Sequence, residues 1–445
     1  MLKILYHLYR LISGARYRLG RRLTRPGMVV LGGLFVVMLT GLDPEISAAY
    51  QAFALLLCLL LVSFGFTWRF RASFSAIREL PRFGTVGCPL PYRIQLTNLT
   101  KTTQSGLLLM EDAADPRPSY SEWLAVQLAD ERRLRSFRLG SGRATSPFRS
   151  VVMKDAEVPA VPPQQEAEVR LEFVPLQRGI LRLEGVTLAR PDPLGLVRSL
   201  LRIVLPQTLL VLPRRYPVPR LTLPGAQKHQ EGGVAFAVSV GQSEEFVALR
   251  DYRHGDPLRH IHWRTWARAG KPVVKEFQDE YFVRHALVLD TFMDDPHNEV
   301  FEEAVSVAAS FVCTVQTQES LLDLLFVGPQ SYCLTAGRGL AYADQMLEIL
   351  ASVRPCSEQQ FVALESLVLN HAPGVSGCIC VLVAWDEARR KFVGELRALG
   401  VPVLVVVIVP RGHDRSLDRG PMRDEPERFH VFEVGQVEPG LAQMS

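Results

Sequence analysis

Several familiar sources of chemistry are missing from this sequence. It contains no Cys-x-x-Cys pair, and its seven cysteines (Cys58, Cys88, Cys313, Cys333, Cys356, Cys378 and Cys380) are odd in number. Most sit in apolar runs such as residues 377–381, so they read as buried free thiols in a reducing compartment and exclude a disulfide framework. Their spacing is also wrong for a zinc site. A Gly-x4-Gly-Lys-Ser/Thr loop is absent, so the chain is not itself a P-loop ATPase. Nor is there a nucleophile elbow, a zinc-protease helix or a paired Cys/His arrangement. An excess of one sign of charge is missing too. A net charge of +4 is too small to mark a nucleic-acid binder.

Length and apolar stretches are present. At 445 residues, 48% of them hydrophobic, the chain exceeds one ordinary core and predicts two or three domains. Residues 26–42 carry no charge, and neither do residues 46–68. Spanning a bilayer takes about 17–25 mostly apolar residues, so the second stretch qualifies comfortably and the first only just. Asp43-Pro44-Glu45 between them reads as an acidic turn on the far side. Lys3, Arg10, Arg16, Arg18, Arg21, Arg22 and Arg25 precede the first stretch, and Arg69, Arg71, Arg78 and Arg82 follow the second. The positive-inside rule places both flanks in the cytoplasm. A cleaved signal peptide, with Ser47-Ala48-Ala49 as its site, fits less well because a second, longer apolar stretch follows at once. Helices of a soluble core should show a polar face, and these show none. The expectation for residues 1–69 is a basic N-terminus followed by a transmembrane helical hairpin.

Residues 70–225 change character. Period-two alternation at 91–98, 168–173, 181–183, 186–188 and 208–212, punctuated by Gly, Pro and Asn, predicts half-buried antiparallel strands. A β-sandwich-like middle domain follows from that pattern. Residues 113–163 are more polar and contain proline, and read as a long excursion or poorly ordered insertion.

The most distinctive stretch begins at Glu245. It contains Arg250-Asp251-Tyr252, Gly255-Asp256, Arg259, Ile261-His262-Trp263, Trp266-Ala267-Arg268 and finally Lys275-Glu276-Phe277. Eight basic and seven acidic residues between Glu244 and Arg284 make it a balanced ion-pair zone, not a nucleic-acid patch. Gly255 suits a backbone shape closed to other residues, and Asp256 a turn cap. Trp263 and Trp266 suit a core edge or an interface anchor. Arg250, Arg259 and Arg268 can clamp carboxylates or phosphates, or form structural salt bridges with Asp251, Asp256 and Glu276. His254, Asp256, His260 and His262 form a candidate metal cluster, opposed by the basic neighbours Arg253, Arg259 and Arg264.

This stretch resembles the signature of the bacterial "domain of unknown function 58" family. Gln177-Arg178-Gly179-Ile180-Leu181 and Pro191-Asp192-Pro193-Leu194-Gly195-Leu196 look like that family's upstream phrases, as does the two-helix start. The resemblance implies a protein of the bacterial inner membrane with both termini cytoplasmic, and a MoxR-type AAA+ ATPase as partner. It assigns partner binding or a family role to Arg250, Tyr252, Gly255, Asp256, Arg259, Ile261, Trp263, Ala267, Arg268, Lys275 and Glu276.

Beyond residue 284 strands and helices alternate. Residues 285–290, 321–327, 378–384 and 401–409 read as buried strands, and 299–316, 341–352 and 387–399 as helices. Such alternation predicts an α/β doubly wound C-terminal domain with ligands at the carboxyl ends of strands, near Asp290 and Asp386. The arrangement looks like a von Willebrand factor A domain. Those domains usually hold Mg²⁺ through Asp-x-Ser-x-Ser, whereas Asp290-Thr291-Phe292-Met293-Asp294 lacks both serines, and Phe292 offers no oxygen. Asp290, Asp294 and Asp386 remain a degenerate Mg²⁺ ligand set. The tail after Arg411 is charged and reads as loosely held.

The expected organisation is therefore multi-domain. Residues 1–69 form the anchor, 70–225 the β-rich domain, 226–284 the signature segment, 285–412 the A-like domain and 413–445 a charged tail. The expected function is a membrane-integral, non-enzymatic adaptor or assembly factor without cofactor, small-molecule substrate or nucleic acid. The alternative is a metal-dependent hydrolase using the Asp/His cluster.

Overall fold

The computed structural model describes residues 2–40, 47–68, 70, 72–114, 117–134, 148–219, 246–256, 258–277, 283–295, 297–314, 320–336, 340–357, 359–412 and 417–444. The expected turn Asp43-Pro44-Glu45 lies outside the described residues. The chain is multi-domain with mixed helix and sheet, and it divides into two compact units. One comprises Met1–Arg214 with Asp294–Asn298 and Leu347–Arg354; the other comprises Arg215–Met293, Glu299–Met346 and Pro355–Ser445.

The first unit starts with three helices, α1 (Leu2–Arg22), α2 (Arg25–Thr40) and α3 (Ser47–Thr67). Thr24 caps α2 by accepting a hydrogen bond from the Gly27 N–H at 3.1 Å. At a rise of about 1.5 Å per residue, α2 is about 24 Å long, short of a hydrocarbon core of about 30 Å. Within α3, Ala49–Thr67 is long and apolar enough to cross a membrane, while α2 is shorter and also apolar. The two pack together, with Gly33 facing Leu56.

Nine strands follow: β1 (Phe74–Glu79), β2 (Phe83–Thr85), β3 (Leu90–Asn98), β4 (Leu107–Ala113), β5 (Val151–Met153), β6 (Ala156–Val158), β7 (Glu166–Pro175), β8 (Gly179–Pro191) and β9 (Arg198–Leu212). They form a four-stranded sheet, β1-β3-β7-β5, and a five-stranded sheet, β2-β9-β8-β4-β6. Every pairing is antiparallel except β2 with β9. Alternation decides what each strand buries. β3 turns Tyr92, Ile94 and Leu96 inward and β7 turns Val169, Leu171 and Phe173, while β4 of the other sheet adds Leu107 and Leu109, so both sheets contribute to one core. In β8 the inward set is Leu181 and Leu183, and then a bulge between Leu183 and Gly185 moves it to Val186 and Leu188. One extra residue shifts the parity.

An ion pair sits within this core. Arg78 on β1 and Glu111 on β4 touch with both side chains fully buried. Tyr92 donates to Glu111 at 2.8 Å, and Arg78 also donates to the carbonyls of Leu205 at 2.9 Å and Gly185 at 3.1 Å. Burial pushes the Glu111 carboxyl up, and Arg78 and Tyr92 hold it back.

The segment expected as a loose excursion contains a helix, α4 (Tyr120–Leu134), as well as β5 and β6. Ser119 and Glu122 close a reciprocal cap at its start, Ser119 N–H to Glu122 at 2.9 Å and Glu122 N–H to Ser119 at 3.3 Å. Trp123 and Val126 anchor the helix by burial. Polar composition hid two buried positions one turn apart.

The second unit opens with a two-stranded antiparallel sheet, β10 (Phe246–Asp251) and β11 (Val273–Phe277), with α5 (Trp263–Ala269) between them. Its main body follows: β12 (Val283–Leu289), α6 (Glu299–Thr314), β13 (Ser320–Val327), β14 (Ser331–Ala336), α7 (Leu340–Ser352, in this unit as far as Met346), α8 (Val362–His371), β15 (Gly377–Leu382), α9 (Glu387–Ala398), β16 (Val403–Val409), β17 (Phe429–Glu433) and α10 (Val437–Ala442). Six strands line up as β14-β13-β12-β15-β16-β17, parallel except for β14. β15 and β16 are buried at every residue, which is why they read as continuous apolar runs. Strand order reverses between β12 and β15, where side chains beyond the carboxyl ends converge. The unit begins within the segment assigned to the β-rich region: the Tyr216 N–H donates to Ser310 of α6 at 2.8 Å.

The tail is not loose. β17 extends the sheet in parallel register, from Val405 opposite Phe429 to Val409 opposite Glu433. Phe429, Phe432, Val437 and Leu441 are buried. Residues 413–445 are rich in charge, yet spaced apolar residues supply the core contacts that hold the tail.

Candidate functional site

The signature stretch forms a small module on β10 and β11. Arg250 pairs across the sheet with Val274, and the Tyr252 N–H donates to the Pro272 carbonyl at 3.0 Å. The chain then turns at Gly255, whose φ of 108° lies where a side chain is strained. Asp256 receives both Arg250 amino groups, at 2.7 and 2.8 Å, and the Arg253 N–H at 2.8 Å. Those donors hold its carboxyl down at about 2. Arg250 and Asp256 therefore act as a structural clasp. The Asp251 carboxylate is bound by Lys271 at 2.7 Å, and its carbonyl accepts from Arg250 at 3.2 Å.

A 3₁₀ turn, Leu258–His260, leads to Ile261, which is buried and bridges to Val274. The His262 N–H donates to Val273 at 2.8 Å, and its ring is 2.6 Å from the Thr265 hydroxyl. With Ile261 pinned inward, α5 presents Trp263 outward. Trp263 is 64% exposed and stacks on the half-buried Trp266, centroids 5.2 Å apart and planes 20° from parallel. Arg259, Arg264, Ala267 and Arg268 are exposed, and among the described residues these three arginines form no ion pair. Lys275 is half-buried on β11, and Glu276 is opposite Ala248.

The expected histidine metal cluster is not assembled. Asp256 is committed to Arg250, and the His260 ring accepts from Arg259 at 3.3 Å. Among the described residues no group of three His, Cys, Asp or Glu side chains could hold a metal.

The Asp290, Asp294 and Asp386 reading is likewise corrected. Asp290 is fully buried after β12, and Asp386 caps α9 through the Arg389 N–H at 3.0 Å. The Arg389 guanidinium lies between them, 2.6 Å from Asp290 and 2.5 Å from Asp386. Its face rests on Phe361 at 4.7 Å. The Phe292 N–H at 3.1 Å and the Val383 N–H at 3.3 Å complete the Asp290 shell. Burial pushes the Asp290 carboxyl up, and Arg389 with these two donors pulls it back. Asp294 is exposed on the following loop. These residues do not fit a divalent ion, because a side-chain cation already neutralises the two carboxylates. Arg389 was missed in the sequence. Its signal was a basic residue three positions after an aspartate that opens a helix.

Residues 248–436 match the family model described as "Protein of unknown function DUF58". Over this segment, somewhat less than half of its length, the chain is similar to the DUF58 family. The DUF58 segment takes in nearly all of the β10–β11 module and the six-stranded sheet through β17. "Uncharacterized protein YeaD" of Bacillus subtilis (strain 168) is 29% identical over 182 residues, 40% of this chain and 44% of that protein. The chain thus spans less than half the length of that relative. Among solved structures, a cohesin module from a Clostridium perfringens ATCC13124 family 33 glycoside hydrolase aligns with 32% of this chain and 98% of its own. Its identity is 7% and its TM-score 0.16. A GH20 exo-β-N-acetylglucosaminidase from Vibrio harveyi aligns with 80% of this chain and 59% of its own, at 9% identity and a TM-score of 0.13. Scores this low bear on neither fold nor activity.

Proposed function

We propose that this protein is a membrane-anchored, cytoplasm-facing adaptor or assembly factor that works without catalysis through contacts with a MoxR-type AAA+ ATPase. The carrying observation is the stacked Trp263–Trp266 pair on α5, with Trp263 largely exposed beside exposed arginines. Aromatic and arginine anchors dominate protein interfaces, and an exposed tryptophan serves a lone unit poorly. On this reading α2 and α3 pass the bacterial inner membrane twice, leaving both termini cytoplasmic. The paired sheets serve as a β-sandwich spacer. The six-stranded unit is a von Willebrand factor A-like domain whose Asp290 corner is held by Arg389 in place of Mg²⁺. Metal-dependent hydrolysis gains no support from a cluster already neutralised in this way.

The test is capture from bacterial membranes with the wild-type chain and a Trp263→Ala, Trp266→Ala variant, read by mass spectrometry. Truncating an interface anchor costs about 2 kcal/mol or more, roughly thirtyfold in affinity. An AAA+ ATPase of the MoxR type should be held by the wild type and lost by a variant with unchanged thermal midpoint. Equal capture by both, or no ATPase with either, would sink the assignment.

A further inference from the structure

The first helix has two faces with different work. α1 carries Lys3, Arg10, Arg16, Arg18, Arg21 and Arg22 and no acidic residue. One face docks on its own unit. Tyr6 and Gly14 are buried, the Tyr6 hydroxyl donates to the Pro118 carbonyl at 2.9 Å, and its ring lies 5.8 Å from Trp123. Arg21 forms an ion pair with Asp112 on β4.

At about 100° per residue the opposite face gathers Ile4, Leu8, Leu11, Ile12 and Leu19 into one stripe about 100° wide. These side chains are 72, 51, 67, 55 and 44% exposed. Arg16 borders one edge of the stripe and Arg18 the other. An uncovered aliphatic stripe between basic borders, on a helix otherwise docked, is a surface awaiting an occupant.

Only Leu23 and Thr24 separate α1 from α2. That junction is fastened: the Thr24 N–H donates to the Leu196 carbonyl at 3.1 Å, and the Thr24 hydroxyl donates to Gly195. A span of α2 and α3 therefore places the end of α1 at the bilayer face. We propose that α1 is an in-plane helix that lies on the cytoplasmic leaflet, its aliphatic stripe at the headgroup–acyl boundary and its arginines on anionic lipid phosphates. Aliphatic burial and basic charge together are the recognised means of such attachment. The inference rests on the membrane reading of α2 and α3.

The experiment uses the full chain with Cys58→Ser and Cys88→Ser, reconstituted in nanodiscs of phosphatidylcholine with or without phosphatidylglycerol. A nitroxide at Leu11→Cys, or at Arg10→Cys on the other face, reports access of oxygen and of a nickel complex. The Leu11 site should be oxygen-accessible and nickel-shielded in phosphatidylglycerol discs, less so without that lipid, and the Arg10 site nickel-accessible in both. Arg16→Glu with Arg18→Glu should abolish the lipid dependence. A nickel-accessible Leu11 site in inserted protein overturns the proposal alone, as does lipid dependence retained in the glutamate variant. Spin–spin broadening from a second copy on the stripe also overturns it. Failure of the chain to insert, scored separately by disc co-purification, overturns the membrane reading as well.

Discussion

At the residue scale, the Asp290 corner shows how one side chain decides a site. Removing Arg389 leaves a fully buried carboxylate with only two backbone donors. Breaking a buried pair costs about 3–5 kcal/mol, and Arg389→Met should destabilise by that order. The loss should depend on pH in a definite direction. Burial raises the folded pKa of Asp290, and without Arg389 nothing charged opposes it. A carboxyl raised in the fold binds its proton more tightly there than in the unfolded chain, so its contribution is present at low pH. It is lost as pH rises through the folded value. The urea midpoint of Arg389→Met should thus fall furthest below wild type at about pH 7 and approach it at about pH 5, between the unfolded carboxylate pKa and neutrality. A deficit equal at both pH values would show that Asp290 does not carry the effect. The sequence displayed Asp290 and Asp386 at strand ends, and position alone suggested a ligand set. Nothing along the chain marked an arginine 99 residues after Asp290 as the partner of both. The Arg250–Asp256 clasp was legible as one of several pairings, since the two lie only six positions apart across a turn.

At the element scale, local patterns carried most strands and helices, and failures came where composition and contact disagree. Continuous apolar runs gave β15 and β16, and alternation gave β3 and β7. In the tail, Phe429 and Phe432 were too sparse among charges to be seen as a strand, because register against β16 makes them buried. The bulge in β8 was equally hidden in the phase change between Leu183 and Val186. One junction is testable directly. A Cβ on Gly27 would stand 2.0 Å from the Leu196 carbonyl oxygen, whereas one on Gly32 meets nothing within 4 Å. Gly27→Ala should cost about 1–3 kcal/mol through this overpacking. Gly32→Ala in the same helix should be neutral or slightly stabilising by helix propensity. Equal thermal midpoints for the two variants in detergent would remove the close approach from the account.

At the scale of the whole molecule, each unit owns a core, and the apolar helices belong to the first. Their exposure is uncompensated in water: Val29, Phe35, Val36, Leu55 and Leu61 are among many large apolar side chains left uncovered. Wild-type protein should remain in the membrane pellet after carbonate extraction, and a chain lacking residues 2–67 should move to the supernatant. Pelleting of the shortened chain as a folded, non-aggregated protein would count against the membrane reading. The sequence made this division visible because uncharged stretches and alternating strands differ in period. The outward placement of Trp263 was not visible, since it depends on Ile261 being drawn inward by β11.

The guanidinium between Asp290 and Asp386 has one more consequence. A dissolved ion would tie the shape of that corner to its own supply, filling and emptying as the cell's magnesium rose and fell. A counterion delivered by the chain has no concentration to follow and no vacancy for a chelator to create. Once α9 is in place, the corner between β12 and β15 keeps one shape whatever the ionic diet of the cell.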